Sequence, residues 1–170
     1  MMKPHFDILA RFNAWANQRL YAAAALLGDD AYRADRGVFF RSLHGTLNHL
    51  LVTDRIWMRR ITGSGDAPDR LDAILFEGFA DLRAARERED ARIIDHIAGL
   101  SEAALAGVVR YRRVSTPEVF EQKLAPALAH LFNHQTHHRG QAHAVLTGFG
   151  RPAPELDLLF FQRLHDAGQA

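Results

Sequence analysis

Apolar residues return at helical spacing in four long stretches of the chain, and residues that stop a helix separate the stretches. From His5 to Leu27, the residues Ile8, Leu9, Phe12, Trp15, Ala16 and Leu20 keep the i, i+3, i+4 rhythm of one helical face, and Gly28-Asp29-Asp30 ends it. Phe39 to Ile61 predicts a second helix, with Leu43, Leu47, Leu50, Trp57 and Ile61 on one side. Thr62 to Arg70, reading TGSGDAPDR, sets two glycines and a proline among polar residues and predicts a loop. A third helix is expected from Glu77 to Ala98 on Phe79, Leu82, Ile93 and Ile97. The fourth starts near Pro126, which suits a first helical turn, and runs to Thr147, with Gly148 as its expected stop. Before it, VVRYRRV and EVFEQKL are short and rich in β-branched and aromatic residues. Across Gly107 to Leu124 they predict a small β-hairpin joined at Val114-Ser115-Thr116-Pro117. A short terminal helix, Glu155 to His165, follows Pro152 and Pro154. The pattern predicts an all-α fold: a four-helix bundle with a small β-hairpin inserted before the last long helix.

A length of 170 residues favours a single domain, 1–170, with one core. A net charge of +1 gives no electrostatic case for nucleic acid or a membrane surface as partner. The absence of cysteine excludes disulfides, thiolate metal sites and cysteine nucleophiles. Met1 to Phe12 has no apolar signal core, and no apolar run reaches ~18 residues, so a cytoplasmic location is expected.

The chemistry concentrates in the fourth helix. NHQTHHRGQAH, Asn133 to His143, holds four of the ten histidines. At a helical period, Leu131, His134, His138, Ala142 and Val145 share a sector of roughly 80°. His130 and His137 lie at its edge and His143 well away. His134 and His138 are therefore one turn apart inside an apolar stripe, close enough to share an ion. In the second helix His44 shares its side with Asn48, Arg55 and Arg59, which reads as a solvated face. His49 shares its side with Thr46, Thr53 and Ile56 and is the better third ligand. His5, His96 and His165 read as surface. Spacing alone leaves two readings open: a metal site, or buried imidazoles satisfied by hydrogen bonds.

His134-Gln-Thr-His-His138-Arg-Gly-Gln141 resembles the signature of the DinB-like family of metal-dependent bundle proteins. HGTLNHLLVTDRIWMRR, His44 to Arg60, resembles that family's other block. FNAWAN, Phe12 to Asn17, and PELDLLFFQR, Pro154 to Arg163, extend the likeness to both ends. The resemblance implies an up-down-down-up bundle holding one divalent transition metal ion, zinc, nickel or iron, on His49, His134 and His138. Some relatives are S-transferases or isomerases that use low-molecular-weight thiols, so the implied partner is a small-molecule substrate, a low-molecular-weight thiol among the options. A homodimer is also implied.

The expected function is a metal-dependent transferase or hydrolase acting on small molecules. The alternative is a non-catalytic, stress-linked metal-binding or sensor bundle acting through a protein partner. Three histidines leave a coordination position open, as catalytic sites do. Gln141 is expected either beside the metal or as a packing amide. Arg139 is expected to pair with a carboxylate from another helix, with the grip on an acidic substrate as the alternative, and Gly140 to allow close helix approach. Arg86 and Glu89 fall on the third helix's apolar stripe and so suggest a pocket mouth. They sit, however, in LRAARERED, Leu82 to Asp90, a charge run that reads as a solvated face.

Overall fold

The computed structural model describes every residue except 115, 153 and 170, so Ser115 of the expected hairpin joint lies outside the described residues. The long helices are α1 (Lys3–Ala24), α3 (Leu43–Thr62), α4 (Phe79–Gly99) and α6 (Leu124–Gly148). Between them lie α2 (Asp29–Arg33), α5 (Glu102–Leu105) and the strands β1 (Val108–Arg112) and β2 (Val119–Lys123). A final helix, α7 (Leu158–Asp166), follows. The strands pair antiparallel with Val108 opposite Lys123 and Arg112 opposite Val119, which is the expected hairpin.

α1 and α3 each pack against both α4 and α6. The residues that meet fix the directions. Lys3 Nζ reaches the Ala98 carbonyl at 2.9 Å while Asn17 meets Asp90 at 3.0 Å, so α1 and α4 run antiparallel. Phe6 stacks on Phe132 and Asn13 meets Arg139, so α1 and α6 run parallel. Gln135 donates to the Leu50 carbonyl and Trp57 lies against His130, making α3 and α6 antiparallel. Asp54 meets Arg86 and Thr62 meets Arg92, making α3 and α4 parallel. The order is up-down-down-up.

Packing falls in three layers. One apolar end gathers Phe6, Met58, Ile93, Leu128 and Phe132; the other gathers Leu20, Tyr21, Leu47, Leu82 and Leu146. Each such side chain contributes about 1.5–3 kcal/mol on burial. The middle layer is polar. Arg86 bridges Asp54 at 2.8 Å and Asp90 at 2.9 Å, and all three are buried. Asn13 and Asn17 donate to Asp90 and accept from Arg139. Two arginines and two aspartates thus balance one another inside the bundle, as buried charges must. α7 closes one side of α1 by setting Phe161 against Phe12 and Trp15 at 5.7 and 5.4 Å between centroids.

Several expectations need correction. The charge run in α4 is not a solvated face: Arg86, Glu89 and Asp90 are buried because Asp54, Asn13 and Asn17 arrive from two other helices. The second long helix starts at Leu43 rather than Phe39. Ser42 caps it by accepting from the Gly45 N–H at 3.0 Å, while Val38 and Arg41 form a tight turn in which Arg41 has φ 68°. Its far end behaves as read, with Gly63 at φ 72° closing on the Arg59 carbonyl. α1 ends at Ala24, three residues early, and the left-handed glycine after α6 is Gly150 rather than Gly148. Nothing packs within 4 Å of where a Gly140 side chain would sit, so this glycine serves no helix approach.

Candidate metal centre

α3 and α6 lie antiparallel and present His49 opposite His134 and His138. One ring nitrogen from each histidine lies within 4.8 Å of the other two, and no further histidine or carboxylate joins the group among the described residues. His49 and His134 face each other with Nε2 atoms 3.4 Å apart.

The second nitrogen of every ring is engaged. His49 Nδ1 lies 2.7 Å from the Leu71 carbonyl, which only accepts, so Nδ1 carries the proton and Nε2 a lone pair. His138 Nδ1 is 2.7 Å from Gln141 Oε1, with the same consequence. His134 Nδ1 faces Thr53 Oγ1 at 3.5 Å, and the Thr53 hydroxyl donates to the His49 carbonyl at 3.0 Å, leaving its oxygen to accept from the ring. A metal-ligating histidine characteristically donates its other N–H to a fixed acceptor. Phe40, released from the helix by the turn before Ser42, stacks on His49 at 3.7 Å between centroids with planes 20° apart.

Burial keeps these rings neutral. It pushes His49 down to about 4, with the Leu71 carbonyl opposing and His138 adding to the effect. It pushes His134 down to about 3, helped by His138 and His49. His138 is lowered too, by burial first, against the hydrogen bond to Gln141. Neutral imidazoles are the form a metal needs. The donor set is one that could hold a metal ion: three imidazole nitrogens, each oriented, with no fourth histidine or carboxylate donor among the described residues.

The three histidines singled out in sequence are therefore brought together. His44 is not on a solvated face. It is buried, 3.1 Å from the Phe76 carbonyl and edge-on to Tyr32, and Asn48 beside it is buried as well. His137 is exposed. His96 is half-buried rather than on the surface, and its Nε2 has no hydrogen-bond partner among the described residues. Gln141 holds His138 rather than packing helices. Arg139 turns into the bundle and meets the amides of Asn13 and Asn17, not a carboxylate. Arg86 and Glu89 line neither lobe of the cleft. Phe40, Thr53 and Leu71 are the contributors that sequence reasoning missed. Thr53 had a signal, being one turn from His49 on the same side, whereas the main-chain carbonyl of Leu71 had none.

All three histidines line one lobe of a cleft, and only His134, with Leu71, also lines the other. One, of about 510 Å³, is lined by Phe39, Phe40, Asp72 and Gln141. The other, of about 450 Å³, is lined by Trp57, Arg60, Tyr111, Arg113 and Phe120.

Fold and site define a class: helical bundles in up-down-down-up order whose second and fourth long helices gather three histidines that could hold a metal ion. The sequence model of the DinB family matches residues 1–169, and the chain belongs to that family. Protein DinB of Bacillus subtilis (strain 168) is 25% identical over 158 residues, 88% of either chain. A crystal structure of a DinB-like protein from Bacillus cereus ATCC 10987 superposes with a TM-score of 0.64 at 12% identity, covering 82% of this chain and 89% of that one, and so shows the shared fold. Among the described residues no helix is long and apolar enough to cross a membrane.

Proposed function

We propose that residues 1–170 form one domain that binds a divalent transition metal ion, zinc, nickel or iron, on His49, His134 and His138 and acts as an enzyme on small molecules. The reaction class is transfer or hydrolysis of thiol-containing or electrophilic compounds. The observation that carries this reading is the convergence of three oriented lone-pair nitrogens beside a two-lobed cleft, with no fourth protein ligand among the described residues. An ion held there supplies Lewis acidity and lowers the pKa of a water or thiol that reaches it. The chain itself orients the rings through Leu71, Thr53 and Gln141 and covers one face of His49 with Phe40. Any thiol must come with a substrate, since the chain has no cysteine.

Metal content of the purified protein tests the reading. One ion per chain is expected in the wild type and less than a tenth of that in His134→Ala. His137→Ala is expected to keep its ion. Equal metal in wild type and His134→Ala removes the site. A thiol-transfer screen against electrophiles then asks for the reaction, with loss of turnover on chelation as the expected result.

A further inference from the structure

The two lobes of the cleft differ in charge. Arg60, in the last turn of α3, lays its guanidinium against the rings of Trp57 and Tyr111, 4.7 and 4.4 Å from their centroids. Arg113, just past β1, lines the same lobe. Among the described residues no acidic side chain lines it. Among the described residues neither arginine forms an ion pair, whereas Arg55, Arg83, Arg86 and Arg92 of the neighbouring helices do. The hydrogen-bond acceptor that Arg60 finds is the Arg112 carbonyl, at a long 3.5 Å. Burial, and then the charge of Arg113, push Arg60 below the ordinary guanidinium value while Tyr111 opposes. Two cations thus line one lobe, Arg60 over its aromatic rings, with no acidic side chain among its described lining residues. Planar guanidinium forks match carboxylate and phosphoryl oxygens, and a partly desolvated one is a strong anion partner. The other lobe has Phe39 and Phe40 as walls, no arginine or lysine among its described lining residues, and Asp72 as its charged side chain, so in the absence of a metal it offers an anion no cation.

We propose that the lobe between α3 and the hairpin binds the substrate by an oxyanion head group, carboxylate or phosphoryl, held by Arg60 and Arg113. The apolar body then lies along Trp57, Tyr111 and Phe120, and the opposite end points to His134. This rests on the reading of the triad as a reaction centre, and it narrows the substrate class to small anionic molecules with an apolar or aromatic body. A lobe of about 450 Å³ holds a ligand of that size.

Binding of three probes tests it by calorimetry: 3-phenylpropionate, phenyl phosphate and the neutral 3-phenylpropanamide. Each is measured on metal-free protein and on protein loaded with zinc. At least one anion is expected to bind about ten-fold or more tighter than the amide in both forms, and the tighter anion names the head group. Arg113→Gln, an exposed position, and Arg60→Gln are each expected to weaken that anion by about ten-fold or more, the worth of a charge-assisted hydrogen bond, with circular dichroism and metal content unchanged. Equal binding of amide and anions overturns the proposal, and so does an Arg113→Gln variant that binds as the wild type does. A preference that exists only with zinc present overturns it too, because the anion then sits on the metal. Protein that takes up no zinc yet keeps the arginine-dependent preference supports the lobe while refuting the metal centre.

Discussion

A single imidazole shows the logic of the site at the smallest scale. In the metal-free protein His49 is held at about 4 and His134 at about 3, below the ~6.5 of an unfolded histidine. The unfolded chain therefore binds more protons than the folded one across that interval. Stability contributed by the neutral rings is fully present above pH ~6.5 and is lost as pH falls toward 4. Melting of metal-free protein from pH 7.5 to 4.5 is expected to show a falling midpoint. The double variant His49→Leu, His134→Leu should show a flatter profile over the same range. A wild-type midpoint that stays level across it refutes the assignment of these rings as buried neutral groups. With the ion bound, protons must displace it first, so the holo-protein's decline is expected at lower pH than the apo-protein's.

Among the elements, the turn before α3 decides how well the site is dressed. Gly45 sits where a Cβ would collide with the carbonyl oxygen of Phe40. Gly45→Ala therefore pushes the turn off the helix and Phe40 off His49. Strain of this kind costs about 1–3 kcal/mol, which outweighs the ~1 kcal/mol that alanine gains in a helix. Gly140→Ala, with open space around it, should keep that gain. Opposite shifts in melting temperature for the two variants, with weaker metal binding in Gly45→Ala alone, are expected; equal shifts would show that the turn does not bear on α3. This turn also marks where sequence reasoning stopped. Phe39 lies at 80% exposure and Phe40 packs outside the helix, yet both continue the apolar rhythm that locates Leu43, Leu47 and Leu50. The rhythm itself, read over twenty residues, located all four long helices, and the i, i+4 pair with its face located the triad. What it could not supply was anything fixed by a distant partner: the burial of His44 under Phe76, or the Leu71 carbonyl on His49.

For the whole molecule the same limit explains the polar middle layer. Arg86 looks solvent-facing in a run of alternating charge and is instead 1% exposed, because Asp54 and Asp90 meet it where four helices converge. Arg86→Met leaves two buried carboxylates against Arg139 alone and is expected to destabilise the bundle by about 3–5 kcal/mol. Arg83→Met, which breaks only the half-exposed pair with Glu87, should cost about 0.3–0.5 kcal/mol. Urea denaturation measures both, and a similar small loss for each would show that the layer is not a coupled unit. The direction of the helices reaches further still. Because α3 and α4 run parallel, the segment 63–78 must travel the length of the bundle to connect them, and halfway along it passes His49 and offers the Leu71 carbonyl. A main-chain oxygen belongs to every amino acid alike. Outside Gly63 and Gly65, whose positive φ favours glycine, exchanges of one residue for another along the crossover leave that oxygen in place, while shortening the segment draws it off the ring, so most of this stretch is open to drift in its letters and closed to drift in its length.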